Sequence, residues 1–270
     1  MTERGAMHRA YVLGAAFWSP VLPGWDLAAR AFRGEAPLQQ PPASRPAPTL
    51  LAPTERRRAP DTVALALEVA ARACEGAGAD PASLPSVFAC TQGDLAISDY
   101  MGATLAENPA MVSPIRFHNS VHNAAAGYWT IGTGCSEPYT ALSAPDATFG
   151  AGLLEALAQV ACDTRPVLLV AYDGEARGPL ATVVTSRGLL ASALVLAPEP
   201  GPGALASLDW QVAGPGEVTA ASTEAGHALA GNGMSPCVPF FEALARGADA
   251  RVSLALQPAA RLDVEIRRAT

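Results

Sequence analysis

Four short, almost unbroken apolar runs constrain this chain most: AYVLGAAFW (Ala10–Trp18), SVFACT (Ser86–Thr91), VLLVAY (Val167–Tyr172) and LLASALVLA (Leu189–Ala197). Each has the length of a strand and is too short to cross a membrane. Runs of this kind are strands buried in the middle of a protein, and the segments between them carry helical patterns. In DTVALALEVAARACEGAG, Val63, Leu65, Leu67, Val69 and Ala70 lie on or near one apolar face, and Asp61 is expected to cap the helix. Ile97–Glu107, AAAGYWTIGTG, ATFGAGLLEALAQVA and PFFEALARG read as further helices. YTALSA and LDWQVAG read as strands, and RVSLAL with RLDVEIR as a closing hairpin. Gly34–Pro53 is a proline-rich surface excursion, because its prolines block regular hydrogen bonding. Strands alternating with helices predict an α/β protein with a buried central sheet.

Composition narrows the function. A length of 270 residues suits one large domain or two small ones, and 50% apolar residues are ample for a core. A net charge of −7, with no lysine in the chain, argues against nucleic acid and anionic membrane, both of which reward clustered cations. Five cysteines, odd in number and without metal-type spacing, fit reduced thiols in the cytoplasm. The opening MTERGAMHRAY has no long apolar run and so no signal-peptide pattern.

Three stretches carry candidate chemistry. RFHNSVHN places Arg116, His118, Asn119, His122 and Asn123 within eight residues. Two histidines four apart would share one helix face as a ligand pair, but the glutamate of a metalloprotease motif is missing. The alternative is a polar loop whose side chains bond buried backbone. SAPDATFGAG runs from a strand into a helix with Asp146 at the tip, where a carboxylate ordinarily serves as the helix cap. STEAGHALAGNGM sets His227 among glycines, as a base beside a ligand or as a packing residue.

Together these stretches resemble the β-ketoacyl synthases of the thiolase superfamily. SPIRFHNSVHNAAAGYWTIGTG through EPYTALSAPDATFGAGLLEA is similar to a ketosynthase without a gap. In that register Asn123 matches the asparagine before the family's small-residue helix, and Asp146 stands at the catalytic cysteine. STEAGHALAGNGM is similar to the late Lys-x-x-x-Gly-His loop, with Ser222 at the lysine and His227 at the histidine. The stretch carrying the other catalytic histidine has no counterpart. The resemblance implies a thiolase-like layered α/β sandwich with its second half strongly shortened. Residues 1–208 would form the ketosynthase-like half and 209–270 a truncated remnant of the other.

Claisen condensation needs a thiolate to hold the acyl chain and two histidines to activate malonyl and stabilise its enolate. With no catalytic set intact, the resemblance points to a chain length factor of the short aryl polyene type. Such a factor pairs with an active ketosynthase that extends polyketide or fatty acyl chains on a carrier protein. It implies no cofactor and no metal. Phe117, His118, Asn119, His122, Asn123 and Tyr139 would then belong to the subunit interface, and Tyr128 and Trp129 would close the partner's acyl tunnel. The competing readings are a stand-alone acyltransferase or malonyl decarboxylase using Asp146 and His227, and a carrier-binding scaffold. A carboxylate at the elbow opposes decarboxylation, because it repels the malonyl carboxylate.

Overall fold

The computed structural model describes residues 7–269. The leader-free reading of Met1–Ala6 lies outside them. In chain order, β1 (His8–Ser19) and β2 (Leu22–Pro23) precede α1 (Trp25–Phe32), α2 (Pro53–Arg58) and α3 (Asp61–Ala77). Next come β3 (Ser86–Ala89), α4 (Leu95–Glu107), α5 (Pro114–His118), α6 (Ala124–Thr133), β4 (Tyr139–Leu142) and α7 (Thr148–Asp163). The chain continues through β5 (Val167–Asp173), β6 (Leu190–Ala197), β7 (Ala206–Ala213), α8 (Glu224–His227), α9 (Val238–Arg246), β8 (Ala250–Gln257) and β9 (Ala260–Arg268).

All the strands join one nine-stranded mixed sheet, ordered β4-β3-β5-β6-β1-β7-β9-β8, with β2 paired to β1. β3 runs parallel to β4 and β5, and the remaining pairs are antiparallel. Every residue of β3, β5 and β6 is buried, as their unbroken apolar runs require. One face of the sheet carries the core of α1, α7 and α9, with Phe17, Phe149, Phe240 and Phe241 at its centre. The other carries α3 and α6, with Leu65, Leu67, Phe88 and Trp129. α3 lies close on β1 because Gly14 has no Cβ, and one built there would run into the Ala73 carbonyl. Pro60, not Asp61, holds the N-cap position of α3, which has no side-chain cap, and Asp61 instead pairs with Arg45 at 3.1 Å.

The C-terminal strands β7, β9 and β8 lengthen the same sheet, and they alternate. Leu208, Trp210, Val252, Leu254, Leu262, Val264 and Ile266 face the first core, and the second core holds no residue of these strands. Their other face is plated with ion pairs. Arg9 grips Asp209 in a fork at 2.6 and 2.9 Å, and Arg267 reaches the same carboxylate at 2.8 Å. Asp263 binds Arg251 at 2.7 Å, Arg261 at 2.8 Å and Ser253 at 2.6 Å. A period of two puts every second residue on this face, so charge there keeps an otherwise bare sheet solvated.

Candidate functional site

β4 ends at Leu142 and α7 begins at Thr148, so the residues between them form a tight bend. Asp146 at its tip has φ 64°, a left-handed conformation that a side chain other than glycine's seldom adopts. The expectation that Asp146 caps the helix is overturned: Ala147 holds the cap position and α7 has no side-chain cap. The bend is held from below. Thr148 Oγ1 donates to Ala144 O at 2.8 Å, accepts from Ala144 N at 3.2 Å and lies 3.1 Å from Thr91 Oγ1. Ser143 Oγ donates to Thr91 O at 2.8 Å. These bonds fix the backbone and leave the Asp146 side chain exposed at the turn. Gly150, one turn into α7, lets the helix press on the carbonyl of Ala255 in β8.

A cavity of about 390 Å3 opens beside the tip, and its wall includes both Asp146 and His227. The rest of it is mostly Ala, Pro, Val and Gly, with Thr219, Ser235 and Ser253. His227 ends α8, its Nε2 2.9 Å from Ala221 O. Ser222 lies outside the wall. Its N and Oγ donate to Glu242, as do Thr223 N and Oγ1, at 2.7 to 3.1 Å. Burial pushes the Glu242 carboxyl up, but the hydrogen bonds from Thr223 and Ser222 outweigh it and hold it below the ordinary glutamate range. Glu242 thus anchors the loop that presents His227. An acid inside the apolar run PFFEALA was the cue to this role, and composition alone did not single it out.

No thiol lines the cavity. Burial pushes Cys237 and Cys74 up to about 12 and Cys90 well above its ordinary value, so none of them offers a thiolate. Cys162 is exposed near the far end of α7. The site holds a carboxylate and an imidazole, with nothing to carry an acyl thioester.

RFHNSVHN is the last turn of α5 and the turn that follows it, tied to buried backbone by His122. α5 ends at His118 and α6 starts at Ala124, so the two histidines do not share a helix and the ligand-pair reading fails. His122 Nε2 lies 2.7 Å from Cys90 O. Asn119 Nδ2 donates to Arg58 O at 3.3 Å, and Asn123 Nδ2 to Tyr139 Oη at 2.9 Å. His118 is exposed, its ring edge-on to Tyr128 at 6.4 Å. The segment and the elbow hang on one turn, Cys90-Thr91, which Asp173 also holds through Thr91 N at 2.9 Å.

Tyr128 and Trp129, expected to close the partner's acyl tunnel, lie buried in this chain. Trp129 is 0% exposed and Tyr128 8%, both inside this chain's own second core. The side chains that do face outward are Phe117 at 62% and Ile131 at 79%, with Val121, Ile115, Met111, Leu105 and Tyr139 also exposed. α4 buries only Leu95 and Ile97 despite its apolar composition. β4, tied to the start of α6 through Asn123 and Tyr139, is an outermost strand, with one edge unpaired. An exposed apolar surface next to an open strand edge is the physical signature of an interface.

The chain matches the family model of the beta-ketoacyl synthase N-terminal domain over residues 31–249. No curated protein matches it. Among solved structures it is similar to the ketosynthase ApeO in complex with its chain length factor ApeC from Xenorhabdus doucetiae. Identity is 20% over 96% of this chain and 98% of that one, with a TM-score of 0.65. The ishigamide ketosynthase/chain length factor matches at 16% identity over 97% and 99% of the two chains, with a TM-score of 0.69. AntDE:AntF, a type II polyketide synthase acyl-carrier protein in complex with its ketosynthase bound to the hexaketide, matches at 11% over 98% and 100%, with a TM-score of 0.77. At such identities the likeness is one of fold. The mixed sheet, the bend before α7 and the family match lead to one assignment: the chain has the thiolase-like fold and belongs to the beta-ketoacyl synthase N-terminal domain family.

Proposed function

We propose that this chain is the non-catalytic, chain length factor-type subunit of a heterodimeric β-ketoacyl synthase. The observation that carries the reading is Asp146 at the strained tip of the elbow, beside a cavity without a thiol. A carboxylate there cannot accept an acyl group as a thioester, so the reaction belongs to a partner. The exposed apolar surface of α4, α5 and α6, with the free edge of β4, is the surface we assign to that partner. A stable pair of this kind buries roughly 2,000 Å² or more. Phe117 and Ile131, the most exposed apolar side chains of α5 and α6, carry the chain-length role. His118, Asn123 and Tyr139 lie along the same contact, while Asn119 and His122 brace it from behind. The substrates are acyl chains on a carrier protein, and an aryl polyene-type, cytoplasmic pathway is the setting we favour. Residues 209–270 are read as the shortened second half, reduced to α8, α9 and the strands that lengthen the first sheet.

No helix among the described residues is long and apolar enough to cross a membrane. Coexpression with a ketosynthase, followed by size-exclusion chromatography and a malonyl-carrier condensation assay, tests the reading. A 1:1 complex active only with both subunits is expected. Decarboxylation of malonyl-carrier protein by the isolated chain, lost in His227→Ala, would instead establish the enzyme reading.

A further inference from the structure

β5 ends at Asp173, and three turns meet on its side chain. From the first, Thr91 N and Cys90 Sγ donate to Oδ1 at 2.9 and 3.2 Å. The loop after β5 folds back through Ser186, whose Oγ donates to Gly174 O at 2.6 Å and accepts from Gly233 N at 3.1 Å. In the third turn Gly233 lies against Oδ2, and a Cβ built on it would stand 2.8 Å from that oxygen. Asn232, 5% exposed, staples this turn down: its Nδ2 donates to Arg187 O at 3.0 Å and Gly188 O at 3.2 Å. Oδ2 itself is buried without a donor. The hydroxyl of Ser192 on β6 is likewise buried without a partner. Ser192 pairs with Ala171, two residues before Asp173, so both orphaned oxygens lie on one face of the sheet.

A buried carboxyl group must be neutral, paired with a cation, or reached by water. Among the described residues Asp173 accepts only those two bonds and forms no ion pair. Arg187 in the loop is exposed and bonds to the turn through its backbone. The titratable groups around Asp173 are Cys90, Cys237, Tyr172 and Asp94, and His122 reaches Cys90 O from the far side at 2.7 Å. Burial pushes both thiols and the phenol up, so they are neutral where Asp173 titrates. Asp94 is held by Ile97 N and Thr62 Oγ1, and Glu242 on α9 by Ser222 and Thr223. Charge on Asp173 is therefore met only by water, and water reaches Oδ2 by parting the turn that lies against it. That turn also walls the cavity at the elbow, where Ala230, Ser235 and Pro236 stand with His227.

We propose that Asp173 is a proton-operated latch: neutral, it lets residues 231–237 close over it, and charged, it parts them and reshapes the wall of the elbow cavity. The latch works within this chain and stands apart from the pairing proposed above. Burial holds the Asp173 carboxyl above its ordinary range. Closure is thus complete below the ordinary aspartate range and is lost as pH rises through the raised folded value.

The test is labelling of the intact chain with a pyridyl disulfide across an acid-to-neutral pH series. Mass spectrometry reads the reaction at Cys237, which is 0% exposed at the end of that turn. Asp173→Asn is the reference at each pH, so the reagent's own pH dependence cancels. Cys237 of the unmodified chain should react faster than in Asp173→Asn. The ratio should climb by up to about tenfold per pH unit, the slope of one proton, and then level off. Gly233→Ala, which wedges a methyl group against Oδ2, should label Cys237 fast at every pH. Cys74, 2% exposed in the second core, should stay slow throughout. A ratio that stays flat with pH would overturn the proposal, and so would a Gly233→Ala chain that labels no faster than the unmodified one. Labelling of Cys74 in step with Cys237 would overturn it too, because it would report unfolding of the whole chain.

Discussion

Glu242 and Asp173 are each 2% exposed, but their surroundings differ. Both oxygens of Glu242 accept hydrogen bonds from Ser222 and Thr223. Asp173 accepts at Oδ1 from Thr91 N and Cys90 Sγ and leaves Oδ2 bare. Burial accordingly pushes the Asp173 carboxyl up, whereas Glu242 finishes below its ordinary range. The signs oppose. Glu242 contributes stability that is complete above the ordinary glutamate range and is lost as pH falls through its depressed folded value. Glu242→Ala should therefore cost about 2–4 kcal/mol at neutral pH, and that difference should shrink in acid. Urea unfolding across an acid-to-neutral pH series measures both. Asp173 is destabilising once pH rises above the ordinary aspartate range toward its raised value, since the folded protein resists charging it. Asp173→Asn keeps the acceptor for Thr91 N and removes the bare charge. It should raise stability at neutral pH by about 1–3 kcal/mol, and an unchanged urea midpoint would count against that account.

The helices around the elbow show what a single sequence can convey. Alanine and glycine content marked α6 as a helix built for close packing, whereas α5 was not legible, because Ser113-Pro114 favours extended chain where that short helix begins. Which face of α6 turns inward was not legible, because AAAGYWTIG is apolar on every side and only the sheet beneath selects Tyr128 and Trp129 over Ile131. The elbow was legible as a strand-to-helix bend, but not the left-handed φ of Asp146. That conformation is held by Thr148 and Ser143 through their bonds to Thr91, a residue far upstream in the sequence that no cue at the tip points to. The consequences separate by experiment. Trp129→Ala should cost about 3–5 kcal/mol by opening a core cavity, read as a lowered unfolding midpoint. Phe117→Ala should leave stability within about 0.5 kcal/mol and lengthen the products of the ketosynthase complex. Ile131→Asp should preserve the fold and abolish coelution with the ketosynthase, because a charge on the contact must be desolvated without a partner.

At the scale of the molecule, the strands after residue 205 decide what the chain can do alone. Their alternation was visible in RLDVEIR, and their union with the first sheet followed only from the pairing of β7 with β1. The ion pairs over β7, β9 and β8 should matter more than surface salt bridges usually do, because Asp209 and Asp263 are nearly buried beneath their arginines. Hydrogen bonds from Arg9 hold the Asp209 carboxyl below the aspartate range, and Asp263 ends below it too, although burial opposes its bonds from Arg261 and Ser253. Asp263→Ala should cost about 1–2 kcal/mol in urea unfolding, since Ser253 and Arg261 lose a nearly buried acceptor while the half-exposed Arg251 turns to water. That armoured back has a further effect on assembly. A protein with one greasy flank and one wet, charged flank can stick to a mate once and then has nothing left to stick with, so association ends at a closed pair instead of running on into fibres.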